Sequence, residues 1–316
     1  MGSRRRVLIA GGTGLVGRAL QEILPSHAYE VAVLSRRGSS GKGPIKIFEW
    51  QPEKRCFDPA LKDWPPDAVV NLAGENVGSG VWTEARRLAI LRSRVEALET
   101  LARAVELWSA SPKVISISAS GYYGHVPGSF RVDENWPSGQ GFLAEVCKHW
   151  EEAARKYFGK ESFRLLIFRL GVVLDPADGA LPRILRPIRF LFGQPLGCGT
   201  QMVSWIHRRD VALSLRHGLD NPELTGVYNL AAPQCVSQAE FTRILCRVAG
   251  RWYVPVPVPS MVLRVVLGRQ ADLVLHGVAM DVGKWKGTGY KFCFSDLESA
   301  LRDLLNVGAG GRVETA

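Results

Sequence analysis

A glycine-rich segment near the start of the chain constrains its fold more than any other feature. Residues 11–17 read GGTGLVG and fit GxGxxG from Gly12 and GxxGxxG from Gly11. Residues 6–10 (RVLIA) before the segment have the pattern of a buried parallel strand, and residues 15–24 after it have that of a helix. A loop between such a strand and helix points backbone N–H groups and the positive end of the helix dipole at a pyrophosphate. The segment therefore predicts a dinucleotide-binding loop.

All seven residues of this loop are predicted to contact the cofactor: Gly11, Gly12, Thr13, Gly14, Leu15, Val16 and Gly17. The glycines permit the tight turn, the close approach of backbone to phosphate and the packing of helix on strand. The alternative is a glycine-rich turn without a ligand. It is disfavoured because a second strand, residues 30–35 (EVAVLS), follows at the distance expected of a βαβ unit.

The residues at the end of this second strand predict which dinucleotide binds. An NAD enzyme usually has an Asp or Glu here for the ribose hydroxyls, whereas this chain has Ser35, Arg36 and Arg37. A hydroxyl and guanidinium groups suit the 2′-phosphate of NADP(H), and no carboxylate is present there to repel it. NADP(H) is the predicted cofactor, and a solvated basic turn is the alternative.

Strand and helix patterns continue to alternate along the chain. Further strands are predicted at residues 68–73, 113–118 and 163–170, and helices at about 83–107 and 142–157. This alternation predicts an α/β fold, a Rossmann-type doubly wound parallel sheet with a smaller C-terminal substrate lobe. Residues 1–180 would form the NADP-binding core and residues 205–232 would return to it, with a strand at 226–230. Residues 181–204 and 233–305 would form the substrate-binding lobe, and 306–316 a disordered tail.

Cysteine, histidine and hydropathy patterns exclude several classes of protein. The six cysteines include no CxxC pair and the six histidines show no ligand spacing, which predicts neither a metal site nor a disulfide framework. No apolar run approaches the roughly 20 residues of a membrane span, so we expect no membrane insertion. A soluble protein of a reducing compartment is predicted, either in the cytoplasm or in an organelle matrix such as that of a mitochondrion or plastid.

The formal net charge of +10 is compatible with an acidic substrate, a nucleic acid, an anionic surface or a dispersed solubilising surface. Nucleic acid is disfavoured because the chain has no RNP-like or KH motif. Arg183, Arg186 and Arg189 are spaced by three and would either clamp a phosphate or be solvated. We therefore expect a small, anionic substrate.

With these residues in place, the chain resembles the extended and atypical short-chain dehydrogenase/reductase superfamily. Within it, the chain is similar to the NAD-dependent epimerase/dehydratase-like branch that includes the SDR39U1-type epimerase family. The resemblance covers residues 7 to about 305. Besides GGTGLVG, its motifs are NLAGEN (71–76), SRVEAL (93–98), SASGYYG (118–124), GFLAEVCKHWE (141–151), RLGVVL (169–174), PLGCGTQMVSWIHRRD (195–210) and YNLAAP (228–233).

The resemblance implies further cofactor contacts. Leu72, Ala73 and Gly74 would pass beside the cofactor after the third predicted strand, and Arg94 would approach it. Val173 would line the nicotinamide end. A C-terminal lobe, from about residue 234 to 305, would close over the substrate.

Reductases and epimerases of this superfamily use a tyrosine acid/base and a lysine four residues later on one helix face. The chemistry requires the pair because a phenol with a pKa near 10 needs a neighbouring cation before it exchanges a proton at working pH. Here Lys148 is present, but Ala144 stands four residues earlier, and the neighbouring register gives Leu143 and Cys147. The YxxxK pair is absent in both registers.

Other residues are candidates for the missing chemistry. Ser118 or Ser120, at the end of the fourth predicted strand, could orient the substrate, and Tyr122 or Tyr123 could supply the phenol. The alternative for the two tyrosines is a packed aromatic turn. Glu151 and Glu152 are expected to be an exposed helical pair.

Two functions remain open from the sequence. The first is an NADP(H)-binding oxidoreductase or epimerase-like protein that acts by hydride exchange at the nicotinamide on a small substrate, possibly phosphorylated or nucleotide-linked. The second is a catalytically degenerate NADP-binding subunit with a regulatory or assembly role in a larger protein complex. The scaffold favours the first and the absent YxxxK pair favours the second.

Overall fold

The computed structural model describes residues 4–36, 45–109, 111–128 and 130–307. Its strands in chain order are β1 (Arg5–Ala10), β2 (Tyr29–Ser35), β3 (Lys46–Gln51), β4 (Cys56–Phe57), β5 (Ala68–Asn71), β6 (Lys113–Ala119), β7 (Arg131–Val132), β8 (Leu166–Leu170), β9 (Val172–Leu174), β10 (Met202–Val203), β11 (Trp205–His207), β12 (Gly226–Leu230), β13 (Val236–Ser237) and β14 (Ala279–Met280).

The α-helices alternate with the longer strands in the first half of the chain and dominate the second half. They are α1 (Leu15–Ile23), α2 (Glu84–Val105), α3 (Phe142–Phe158), α4 (Ala180–Phe190), α5 (Arg208–Asp220), α6 (Gln238–Val248), α7 (Ser260–Leu267), α8 (Asp272–Leu275), α9 (Gly283–Lys286) and α10 (Leu297–Leu304). Within the described ranges, no helix is long and apolar enough to cross a membrane.

Eight strands form the central sheet in the order β12-β8-β6-β5-β1-β2-β3-β4. The first seven of these are parallel to their neighbours, and the edge strand β4 pairs antiparallel with β3. The chain moves outward in one direction from β1 to β3 and in the other from β5 to β12. This reversal opens a crevice at the carboxyl ends of β1 and β5, where doubly wound folds bind their ligands.

Both faces of the sheet are buried under helices, as expected for parallel strands. On one face, Leu8 and Val69 belong to an apolar cluster with Leu98 of α2 and Trp150 of α3. On the other face, residues of β1 and β5 pack with α1 and α5 in a second cluster. The predicted Rossmann-type doubly wound fold is confirmed.

Two details of the sheet differ from the sequence prediction. The strand predicted from residue 163 begins at Leu166, because Glu161–Phe163 form a 3₁₀ turn and Arg164 has a left-handed backbone with φ of 44°. Lys46–Gln51 is an additional strand that the sequence analysis did not assign. The strand predicted at residues 226–230 is β12, which pairs in parallel with β8 and forms one edge of the sheet.

The remaining part of the chain packs beside the carboxyl ends of the strands. An apolar cluster joins α4, α6 and α10, with Leu185, Phe241 and Leu301 among its buried members. Three small two-stranded sheets, β9 with β11, β10 with β13 and β7 with β14, connect this part to the core. Of the tail predicted to be disordered, Val307 is buried and residues 308–316 lie outside the described residues.

Candidate cofactor and substrate site

The loop after β1 packs against the chain that leaves β5. Gly11 has φ of +77°, and a Cβ placed on it would lie 2.8 Å from the carbonyl carbon of Leu72 and 2.9 Å from the nitrogen of Ala73. A side chain at this position would collide with backbone, and the left-handed conformation itself favours glycine. The loop therefore fits the crevice between β1 and β5 only with glycine at position 11.

The start of α1 is held close to the same loop. A Cβ on Gly17 would lie 2.5 Å from Cα of Gly12 and 2.6 Å from the carbonyl oxygen of Gly11, and a Cβ on Gly12 would lie 2.7 Å from both γ-methyl groups of Val33. Gly14 is the N-cap of α1 and offers no side-chain hydrogen bond to the first turn. The first N–H groups of this helix are thus available to an acceptor, as a phosphate site requires.

The other three loop residues are less constrained by packing. Thr13 is exposed, and its carbonyl oxygen accepts a hydrogen bond of 2.6 Å from Nη1 of Arg18. Leu15 and Val16 are half-buried at the start of α1. The structure therefore brings all seven predicted loop residues together around the N-terminus of one helix.

The segment after β5 forms the opposite wall. Asn71 is buried, donates from Nδ2 to Oγ of Ser116 at 3.3 Å and accepts from the backbone nitrogen of Ala73 at 3.3 Å. This contact turns the chain so that Ala73 is buried, Leu72 is half-buried and Gly74 is exposed. The three residues that the family resemblance implied beside the cofactor therefore line the crevice edge opposite the glycine loop.

Arg94 of α2 supports this segment from behind. Its side chain is buried, Nη1 donates to the carbonyl oxygens of Glu75 at 3.1 Å and Ile90 at 2.8 Å, and its Cζ lies 4.8 Å from the ring centroid of Trp150. Burial lowers the pKa of Arg94, and its Nε has no hydrogen-bond partner among the described residues. The segment after β5 is therefore held by a buried guanidinium that keeps one donor, Nε, without a partner among the described residues.

Arg36 lies at the carboxyl end of β2 within an ion-pair cluster. Its Nη1 is 3.2 Å from Oε1 of Glu75, whose Oε2 is 2.9 Å from Nη1 of Arg86. Burial alone would raise the pKa of Glu75, but the hydrogen bond from Arg86 and the charges of both arginines hold it below its usual range. Ser35 is half-buried beside this cluster, and Arg37 lies outside the described residues.

Glu75 and Arg86 were not predicted from the sequence, and the expectation that no carboxylate lies beside Arg36 is wrong, because Oε1 of Glu75 lies 3.2 Å from Nη1 of Arg36. Both depend on how the segment after β5 approaches α2, which spacing along the chain does not reveal. The one available signal was the position of Glu75 inside the NLAGEN motif.

Two serine side chains, those of Ser118 and Ser120, lie at the carboxyl end of β6. Ser118 is buried, and its hydroxyl has no well-formed hydrogen bond to any described residue; the thiol of Cys147 lies beside it, with a pKa that burial raises to about 11. Ser120 is half-buried at the start of the 3₁₀ turn Ser120–Tyr123. The turn carries both predicted tyrosines.

The two tyrosines have different environments. Tyr123 is buried, donates its hydroxyl to Oδ1 of Asn229 at 2.6 Å and accepts from Nη1 of Arg169 at 2.9 Å; burial raises its pKa to about 12. Tyr122 is half-buried, with Cζ of Arg169 3.5 Å from its ring centroid, and its hydroxyl forms no hydrogen bond with a described residue. Tyr122 is therefore the phenol whose hydroxyl remains available.

The structure resolves the two possible registers on α3. A Cβ on Gly121 would lie 3.2 Å from Cβ of Leu143 and 3.6 Å from Sγ of Cys147, so these two residues face the tyrosine turn. Lys148 is exposed and is not brought together with the serines or the tyrosines. The helix face that carries tyrosine and lysine in the superfamily is thus occupied here by an aliphatic side chain and a thiol.

Glu151 is a correction to the sequence analysis, which expected it to be exposed beside Glu152. It is buried, and its two carboxylate oxygens accept hydrogen bonds of 2.8 and 3.0 Å from Nε and Nη2 of Arg169. Arg169 lies on β8, so the contact depends on the packing of α3 against the sheet. Glu152 is exposed as expected.

The far end of the crevice is formed by the second half of the chain. Val173 lies half-buried on β9, opposite Ile206 on β11, and its carbonyl oxygen lies near Gly179 beside Leu15. A loop of residues 76–83 spans from the core to the smaller lobe: Arg183 donates to the carbonyl oxygen of Gly78 and Gln270 donates to that of Gly80 at 2.7 Å. Among the described residues there is no group of three or more His, Cys, Asp or Glu side chains able to hold a metal ion.

A glycine-lined helix N-terminus at the reversal of a parallel sheet defines a Rossmann-type dinucleotide-binding protein. More specifically, the chain belongs to the NAD dependent epimerase/dehydratase family, whose model matches residues 7–231. A second model, described as a domain of unknown function (DUF1731), matches residues 258–304.

Individual relatives extend along nearly the whole chain. The human epimerase family protein SDR39U1 is 34% identical over 305 residues, which are 95% of this chain and 99% of the human protein. An epimerase family protein of Mycobacterium bovis is 38% identical over 298 residues, with 93% and 96% coverage. The crystal structure of human SDR39U1 isoform 2 with NADPH superposes with a TM-score of 0.84 at 33% identity and covers 96% of this chain and 99% of that one. The predicted membership of the epimerase family is confirmed.

Proposed function

We propose that this protein binds NADP(H) and transfers hydride to or from a small anionic substrate, as an oxidoreductase or epimerase. The observation that carries the proposal is the close packing of Gly11, Gly12 and Gly17 around the N-terminus of α1. Beside the end of β2, Glu75 contacts both Arg36 and Arg86 and so holds the two cations together. The NADPH in the crystal structure of the human relative supports the same choice of cofactor.

The residues present fit a nicotinamide dinucleotide phosphate. The pyrophosphate would be held by the N–H groups at the start of α1 and the backbone of residues 11–17, where side chains at Gly11 or Gly17 would intrude. Arg36, together with Ser35 and Arg37, would bind the 2′-phosphate through charge-assisted hydrogen bonds. Leu72, Ala73 and Gly74 would line the ring side of the crevice and Val173 its nicotinamide end. When bound, the cofactor would donate a hydride from nicotinamide C4 in its reduced form or accept one there in its oxidised form.

The chain itself would orient the substrate and move the proton. Ser118 or Ser120 would hold the reacting oxygen, and the available hydroxyl of Tyr122 would give up or accept its proton. The guanidinium of Arg169, which lies 3.5 Å from the Tyr122 ring centroid, would stabilise negative charge on that ring as the proton leaves. In this mechanism Tyr123 would support the turn, and the exposed Lys148 would have no part in the reaction.

Arg36→Asp is expected to change the cofactor preference. The substitution removes a cation from the 2′-phosphate site and adds an anion beside Glu75, so the dissociation constant for NADPH should rise at least about tenfold more than that for NADH. Fluorescence titration with both nucleotides measures this difference. Arg92→Asp, which changes an exposed arginine of α2 by the same charge, is the control. Equal losses for the two nucleotides would show that Arg36 does not contact the 2′-phosphate.

Tyr122→Phe is expected to lower turnover by about a hundredfold, the usual contribution of a positioned general acid, with NADPH affinity unchanged. Turnover would be followed as NADPH oxidation with a panel of carbonyl compounds and nucleotide sugars. Tyr157→Phe is the matched control, because that half-buried ring also lies beside a cation, with Nζ of Lys156 5.2 Å from its centroid. Turnover that persists in Tyr122→Phe at the level of the control would remove Tyr122 from the mechanism.

A second candidate function is a catalytically degenerate NADP-binding subunit of a larger complex. It is favoured by Leu143 and Cys147 on the helix face where tyrosine and lysine are expected. NADPH binding without turnover of any panel member, together with a stable large partner on purification, would select this function. Six free cysteines, all in the described part of the chain, fit either function in a reducing compartment such as the cytoplasm or an organelle matrix.

A further inference from the structure

The net charge of the chain is concentrated in two segments. Residues 179–209 and 241–271 contain ten arginines and no lysine, aspartate or glutamate, so they account for the whole formal net charge of +10. Five of the ten arginines form ion pairs with carboxylates outside the two segments: Arg208, Arg243, Arg247, Arg264 and Arg269.

The same two segments hold most of the exposed apolar side chains. Fifteen large hydrophobic side chains are exposed in the described residues, and ten of them form what we call the arginine-bordered apolar surface: Phe190, Leu191, Phe192, Trp252, Val256, Met261, Val262, Val265, Val266 and Leu267. Trp252 and Val265 are 83% and 81% exposed. An exposed apolar cluster of this extent marks an interaction site.

The backbone joins these residues into one region. Gly193 donates to the carbonyl oxygen of Trp252 at 2.9 Å and accepts from Val254 at 2.9 Å, and Leu196 forms a bridge with Val258. The segment that follows α4 therefore runs beside residues 252–258. Helix α7 begins at Ser260, shortly after them. On α7, Met261 and Val265 are four residues apart, as are Val262 and Val266, so each pair shares a helix face.

Cations border this apolar region and are free to bind an anion. Arg186, Arg189 and Arg251 are exposed and form no ion pair with any described residue. Arg264 lies between the apolar pairs of α7 and makes one exposed ion pair, 3.3 Å from Asp272. Guanidinium groups next to aliphatic and indole side chains match a surface that presents phosphates above hydrocarbon.

We propose that the arginine-bordered apolar surface docks the protein on the face of an anionic phospholipid bilayer. The valines, Met261 and the aromatic side chains would enter the interface between headgroups and acyl chains, while the arginines bind lipid phosphates. A second copy of the chain is a poorer occupant, because a two-fold contact would bring two arginine-bordered surfaces together, and Asp272 at their edge is already paired with Arg264. The docking surface is separate from the proposed catalytic residues and does not depend on the reaction.

Vesicle flotation of the full chain tests the proposal. We expect binding to vesicles of phosphatidylcholine mixed with phosphatidylglycerol, little binding to phosphatidylcholine alone, and weaker binding at high salt. The double variant Val265→Asp with Val266→Asp and the double variant Arg189→Glu with Arg251→Glu should each reduce binding more than about tenfold. Leu107→Asp and Arg92→Glu, which alter exposed residues elsewhere, should bind like the unmodified chain.

Three results would overturn the proposal. The first is absence of binding to either kind of vesicle. The second is vesicle binding that both double variants retain in full. The third is a dimer or a complex with an acidic protein or nucleic acid that forms through this surface in place of vesicle binding. NADPH affinity measured on each variant shows that the chain is still folded, and it also separates failure of this proposal from failure of the proposed cofactor site.

Discussion

Gly17→Ala should abolish NADPH binding, with a loss of affinity of at least about a hundredfold. The added Cβ would lie 2.5 Å from Cα of Gly12 and 2.6 Å from the carbonyl oxygen of Gly11. Both are backbone atoms, which cannot move aside as the end of a flexible side chain can. Helix α1 must therefore move away from the loop, which removes the N–H groups from the pyrophosphate. Isothermal titration with NADPH and thermal unfolding of the same sample measure affinity and stability together.

Gly218→Ala is the matched control for this experiment. Gly218 is also a helical glycine packed against the sheet, but its Cβ would meet the side chain of Leu166, 2.8 Å away at the amino end of β8. We expect this variant to lose some stability and to keep its affinity for NADPH. If Gly17→Ala binds NADPH as tightly as Gly218→Ala does, the loop at residues 11–17 is not the phosphate site.

Arg169→Met should destabilise the protein by about 3–5 kcal/mol, because it leaves the buried carboxylate of Glu151 without its buried partner and with only the half-exposed Arg155 beside it. Arg169 and Glu151 are only 3% and 1% exposed in their side chains, and two hydrogen bonds join them. Arg169 also donates to the hydroxyl of Tyr123 and to the carbonyl oxygen of Glu134 at 3.0 Å, so the tyrosine turn would loosen as well. Urea unfolding at neutral pH measures the free energy of unfolding.

The chain offers its own comparison for this pair. Arg155 also contacts Glu151, at 2.8 Å, but its side chain is 47% exposed, so Arg155→Met should cost less than about 1 kcal/mol. Adding Glu151→Leu to Arg169→Met should restore much of the lost stability, since no charge then remains buried. Equal costs for the two arginine substitutions would contradict the role assigned to the buried pair.

The fold around the glycine loop was predictable because its determinants are local. A strand, a turn and a helix stand next to one another in residues 5–23, and the glycines at positions 11, 12 and 17 are required by contacts within that unit or with the adjacent strands. Such features leave a pattern in the sequence itself. The alternation of further strands and helices then fixes a parallel sheet with its crevice at the reversal.

The region around the candidate catalytic residues was less predictable because its contacts join distant elements. Spacing alone left two registers open on α3, and only the packing of Leu143 and Cys147 against Gly121 decides between them. Glu151 looked like a solvent-exposed member of an acidic pair, yet an arginine 18 residues further along the chain buries it. Short-range periodicity carries no information on such partners.

The strand of the central sheet that is synthesised last, β12, limits how early the sheet can be completed during synthesis. β8 is buried along its whole length, and it pairs with β6 on one side and with Gly226–Leu230 on the other. Until residue 230 has left the ribosome, the apolar strand β8 has an open edge that another nascent chain could join. Completion of the cofactor-binding sheet must therefore wait for residues made after the first part of the smaller lobe, and a chaperone that covers this edge would protect the chain in the interval.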